Sequence, residues 1–133
     1  MEWAALIAWL LTIGGGTVLL GIWIRGRGHD QERHPGLRIR PSVLASHLGL
    51  GTTGALVWIA YLASRVKELV WVAFDVAAIA SLLGTSMFLI WLKQHAEGQR
   101  GAAEHHFPIP IVAVHGVLAT ATLALTLVAA LQA

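Results

Sequence analysis

Apolar residues run along this chain in four long stretches that avoid charge: Trp3 to Ile24, Ser42 to Ser64, Leu69 to Leu92, interrupted only by Asp75, and Phe107 to Ala133. About 20 apolar residues rising about 1.5 Å each cross a hydrocarbon core of about 30 Å, so every stretch is long enough to span a bilayer. The alternating segments of about ten residues that mark a lipid-spanning barrel are absent. The pattern predicts an all-α fold, an integral membrane four-helix bundle. It forms a single domain over residues 1–133, with spans at about 3–24, 42–64, 69–92 and 107–133. The first span opens with Glu2 instead of a basic segment and its apolar run is longer than a signal peptide's, so it is expected to be a retained helix. A turn at 65–68 forces helices two and three to be antiparallel neighbours. No internal repeat and no low-complexity tract stands out.

Charged residues make up only 12% of the chain, against roughly 25% in soluble domains, which excludes an ordinary water-soluble fold. The chain has 0 cysteines, which excludes disulfides, thiolate metal centres, iron–sulfur clusters and covalently attached haem. A net charge of +2 gives no case for nucleic acid as a partner. The distribution of cations says more. Arg25, Arg27, Arg33, Arg38, Arg40, Lys93 and Arg100 fall in the first and third loops, whereas the opposite side carries Arg65 and Lys67. Basic loops are retained in the cytoplasm, so both termini are expected on the non-cytoplasmic side, with the first and third loops cytoplasmic and near anionic headgroups.

All seven histidines belong to those loops or to the membrane half beside them. Two of them, His47 and His115, lie inside spans, each five residues past the start of a helix that enters from the same side (Ser42 and Pro110). Both imidazoles therefore sit at one depth, roughly 8 Å inside. Ionisable groups within spans are rare and point to function. Two imidazoles at one level can supply both axial positions of a b-type haem. Helical steps from His47 give Gly51, Gly54, Trp58 and Tyr61, and from His115 give Ala119, Thr122, Thr126 and Ala129. Small residues such as Gly51 and Gly54 beside the ligands leave room for a flat macrocycle, and the same residues serve close helix packing in lipid. Arg38 and Arg40, with Arg25, are placed to pair with haem propionates.

The loop histidines His29, His34, His95, His105 and His106 lie near Asp30, Glu32, Glu97 and Glu104, and His29, His34, His105 and His106 are candidates for a divalent-metal site. No HExxH-type spacing supports it, and such loops are usually solvated. Asp75 within its span reads either as a proton-relay or gating carboxylate or, the favoured reading, as structurally bonded to Tyr61, Ser64, Arg65 or Thr12 at similar depth. The run Gly14, Gly15, Gly16, Thr17 lacks the lysine and strand of a phosphate loop and reads as close packing or a kink. Trp3, Trp23, Trp71 and Trp91 fall near span ends as an interfacial belt, while Trp9 and Trp58 lie deeper.

With SHLGLG around His47 and AVHGVLA around His115 on helices two and four, the sequence resembles small b-type membrane cytochromes and the haem-bearing membrane subunits of respiratory oxidoreductases. The resemblance covers all four spans and is one of architecture. It implies haem b as cofactor, His47 and His115 as axial ligands to the iron, and a quinone or partner subunit as redox neighbour. Many members of that class carry two haems on four intramembrane histidines; this chain has two such histidines, which argues against electron transfer across the whole membrane by this chain alone. An electron-transfer or accessory role is thus expected over that of a stand-alone enzyme. The alternatives are a cofactor-free accessory subunit, packed against a partner membrane subunit or a second copy, and a divalent-metal binder or transporter using the loop histidines.

Overall fold

The computed structural model describes residues 1–133 as four long helices: α1 (Glu2–Arg25), α2 (Pro41–Ser64), α3 (Glu68–Ala96) and α4 (Ile109–Gln132). Each is long and apolar enough to cross a membrane. Proline in the first turn starts α2 and α4, where its missing N–H removes no helical bond. A left-handed Arg65 (φ 59°) ends α2 and turns the chain into α3. Short 3-10 turns, Gly28–Arg33 and Ala103–His106, interrupt the two long loops. The chain thus has a loop end and a terminal end, the latter holding both termini and the Arg65–Lys67 turn. Outward-facing side chains such as Leu82, Val117 and Leu131 are exposed and apolar, as lipid contact requires.

The extensive interfaces are α2 on α3 and α1 on α4, which makes the bundle two pairs with a seam between them. The core lies in the terminal half, where Trp9, Trp58 and Tyr61 are buried among Ala5, Ala55, Ala73, Ala77, Ala129 and Ala130. The alanines leave the volume the large rings occupy. Glu2 closes that end: its carboxylate accepts hydrogen bonds from the Tyr61 hydroxyl and the Arg65 guanidinium, and its carbonyl accepts one from the Trp58 indole at 3.3 Å. The Glu2 carboxylate also raises the pKa of the exposed Arg65, chiefly through that hydrogen bond.

The packing exposes an internal repeat that the sequence alone does not make evident. Shifting the chain by 68 positions (115 minus 47) places Trp3 on Trp71, Gly16 on Gly84, Trp23 on Trp91, His47 on His115, Leu50 on Leu118 and Thr52 on Thr120. The same shift carries both bounds of α2 onto those of α4, and α1 onto the body of α3. The interfaces obey the same equivalence, since α1 on α4 becomes α3 on α2. Equivalent helices run in the same direction, so the halves are related by an approximate two-fold axis along the bundle, an arrangement known for parallel membrane repeats. The few shared residues are scattered among interchangeable Ala, Leu and Val, and the loops between them are dissimilar. That hides the repeat from a scan of the sequence.

The loop end is closed by a buried carboxylate. Glu104 is fully buried and accepts three hydrogen bonds, from the Ile39 amide at 2.8 Å, the Gln94 side chain at 2.8 Å and the Gln31 side chain at 2.9 Å. Gln31 in turn accepts the Ala103 amide at 2.8 Å, and Gln94 donates to the Leu37 carbonyl at 2.6 Å. One glutamate and two glutamines thereby tie both loops to α3. A Cβ on Gly26 would stand 2.9 Å from the Ala103 side chain, so glycine at that position lets the end of α1 approach the second loop.

Candidate functional site

His47 projects from α2 toward α3, and His115 projects from α4 toward α1. Each ring reaches a backbone carbonyl of its paired helix: His47 Nδ1 lies 2.8 Å from the Ala80 oxygen and His115 Nδ1 lies 3.0 Å from the Thr12 oxygen. A carbonyl only accepts, so Nδ1 carries the proton in both rings and Nε2 has its lone pair free. Neither Nε2 has a hydrogen-bond partner in the protein.

What permits this approach is a glycine four residues after each carbonyl. A Cβ on Gly84 would stand 3.0 Å from His47 Cε1, and one on Gly16 would stand 3.1 Å from His115 Cε1; Gly15 also lies against the His115 ring. Gly15 and Gly16 of the α1 glycine run therefore serve close packing directed at an imidazole, while Gly14 borders open space. Thr12, Gly16 and His115 are equivalent through the repeat to Ala80, Gly84 and His47. A leucine at Gly84 is expected to push His47 off the Ala80 carbonyl while leaving α3 helical. The ring would then lose its fixed tautomer, which nitrogen-15 NMR of a histidine-labelled sample reads directly; an unchanged Nδ1–H signal would refute the cradle.

The two rings meet across the seam between the helix pairs. Their centroids are 6.3 Å apart and their planes stand at 77°. The matching depth expected from the sequence is thus joined by proximity. Both rings are half-buried.

The structure distributes the other candidate residues differently. Gly51 borders open space, whereas Gly54 is covered by Trp9, whose ring would lie 2.5 Å from a Cβ there. Arg38 donates to the Gly101 carbonyl at 2.7 Å and Arg40 to the Glu32 carbonyl at 3.2 Å, so both guanidiniums are held on the loops. Thr122 bonds the Thr12 hydroxyl at 3.1 Å across α1 and α4. Asp75 corrects an expectation. It is exposed on the outer face of α3 without a hydrogen bond or ion pair, because Tyr61 and Arg65 go to Glu2 and Ser64 bonds back to Ala60.

The loop histidines do not converge. His29 stands 3.4 Å from Asp30, and His34 borders a polar groove of about 330 Å³ with Arg27, Asp30 and Arg38. On the other loop His105 stacks on His95 at 4.9 Å and meets His106 edge-on at 6.0 Å. Burial, and then the charges of His95, His106 and Arg100, push the His105 pKa down. No three His, Asp or Glu side chains are gathered to hold a metal ion, so the loops do not assemble the divalent-metal site that their composition allows.

Two further groups escape sequence reasoning. Glu104, Gln31 and Gln94 carry no motif, and their network exists only once distant segments meet. Trp23 and Trp91 look like belt residues but are buried, unlike Trp3 and Trp71, which are exposed. Their coincidence under the 68-residue shift is the signal that could have found them.

Comparison of the chain with protein-family models, with curated proteins and with solved structures finds no match.

Proposed function

We propose that this protein is a small integral membrane electron carrier that binds one haem b through His47 and His115. The observation that supports this most is the disposition of the two imidazoles. A ligating imidazole nitrogen stands about 2.0 Å from its metal and about 1.1 Å from its own ring centre, so two imidazoles on opposite sides of one metal have centres about 6 Å apart. The measured separation is 6.3 Å, with both Nδ1 atoms already committed to carbonyls. Two neutral ligands without a third protein donor suit a metal whose remaining four positions come from a macrocycle. With 0 cysteines the macrocycle would be held without thioether bonds.

Haem would supply one-electron chemistry. The chain's own residues define how. His47 and His115 would together hold the haem from two fixed rings and leave no position for a substrate, which would favour electron transfer over oxygen chemistry. The Thr12 and Ala80 carbonyls accept the Nδ1–H hydrogen bonds and so would make each imidazole a stronger donor toward a bound metal, which would favour its oxidised state. Electrons would pass to or from a quinone or a partner subunit. The unpartnered Asp75 on the outer face of α3 supports a neighbouring membrane helix, from a partner or from a second copy, at that position. The excess of cations at the loop end supports a cytoplasmic loop end, with both termini opposite.

The protein purified in mild detergent from haem-replete cells should show a Soret band and, on dithionite reduction, sharp α and β bands. With the imidazole planes at 77°, a haem held by both rings would have the two iron orbitals that overlap them nearly equal in energy. The oxidised form should then give a strongly anisotropic low-spin electron paramagnetic resonance signal. A featureless visible spectrum would overturn the proposal.

A further inference from the structure

Trp23 and Trp91 are equivalent through the repeat and nearly inaccessible, at 5% and 6% exposure. Neither indole N–H has a hydrogen-bond partner. An indole nitrogen can only donate, and a buried donor without an acceptor is costly, so two such groups at equivalent positions, neither of them met by an acceptor in the folded chain, are open to one from a bound molecule.

Their place on the helices identifies it. Trp23 lies seven residues beyond Gly16, and Trp91 seven beyond Gly84, the two glycines against which the imidazoles pack. Seven residues are close to two turns, so each tryptophan shares the helix face of its glycine, about 10 Å nearer the loop end. Both rings are held in place: Gly28 lies over the Trp23 indole, where a Cβ would come within 2.0 Å of the ring, and His95 packs on Trp91 at 4.4 Å. Arg25 and Lys93, equivalent again, place a cation two residues past each indole. The only other unpartnered indole, that of Trp9, has no such counterpart, its equivalent being Ala77, and lies toward the terminal end.

We infer that Trp23 and Trp91 are the residues that would hold the two carboxylates of the haem, each indole N–H donating to one of them at the loop end of the bundle. The assignment rests on the bis-histidine reading and replaces Arg38 and Arg40, whose guanidiniums are held by loop carbonyls. It explains why two buried donors are left open at one level, and why they obey the same equivalence as the ligands.

The test titrates the full-length apoprotein in detergent with haem b and with its dimethyl ester, which keeps the iron and ring but loses both anionic acceptors. Wild type should bind the acid at least about tenfold more tightly than the ester, because two hydrogen bonds to charged groups are at stake. The Trp23→Phe, Trp91→Phe double variant should bind both forms with the ester's affinity and with unchanged band positions, since His47 and His115 remain. Each single variant should lose part of the preference, which keeps the result readable if the double variant does not fold. Full preference in either single variant would overturn the assignment, as would its loss in an Arg38→Ala, Arg40→Ala variant with the indoles intact. Absence of a six-coordinate spectrum in wild type with either compound would instead sink the bis-histidine reading beneath it.

Discussion

Exchanging His47 for alanine is expected to abolish the sharp reduced α band and to lower haem occupancy by more than tenfold, and His115→Ala should do the same to a similar extent. Each imidazole would lose its metal bond and its bond to a carbonyl at 2.8 Å or 3.0 Å together. On the proposed reading, loss of either imidazole would remove one of the two ligands that hold the haem, and the other alone would hold it less tightly. Near-equality of the two effects follows from the equivalence of the halves. Free imidazole added to either variant should restore the band in part, because the substitution leaves room for it beside Gly84 or Gly16. Visible spectroscopy with a haem assay on detergent-purified variants decides the matter. Variants that keep the full spectrum would place the cofactor elsewhere.

The second large effect is structural. Glu104→Leu should destabilise the loop end by about 3 kcal/mol or more, since it leaves three buried donors, from Ile39, Gln94 and Gln31, without their acceptor at about 1–3 kcal/mol each. Glu104→Gln should cost less, because the amide oxygen still accepts while its NH₂ group faces a donor. Hydrogen exchange at the Ile39 amide and limited proteolysis of the two loops would report the loss, and the four membrane helices should stay protected. Equal exchange in wild type and both variants would show that the carboxylate is not what joins the loops.

How far the sequence reached depends on the range over which each feature is encoded. Hydropathy is a local property, and the four spans fall within about two residues of the helices at most bounds, apart from α3, which continues as far as Ala96. The depth of His47 and His115 follows from counting along two helices, so their pairing was legible too. Their orientation was not, since it depends on Gly16 and Gly84 in other helices and on carbonyls that every helix possesses. Glu104 reads as a solvated loop acid until Gln31, 73 positions away, is seen against it. Asp75 shows the opposite failure. A carboxylate in a span demands a partner by rule, yet Tyr61, Arg65, Ser64 and Thr12 are all engaged elsewhere in this chain.

The short Arg65–Lys67 turn gives the repeat a kinetic meaning. On the proposed reading each half carries one of the two ligand imidazoles, one glycine cradle and one of the two docking indoles, and neither half alone could grip a flat molecule from both sides. If the halves were separate peptides, capture would wait for two of them to meet in the bilayer and would slacken as they grew scarce. A connection of a few residues instead keeps the second half at a high effective concentration beside the first, so closure around the proposed guest would be a first-order event. Dilution of the protein in its membrane would then leave the proposed grip unchanged, and the tether leaves the two halves free to differ, as Ile7 and Asp75 do at equivalent positions.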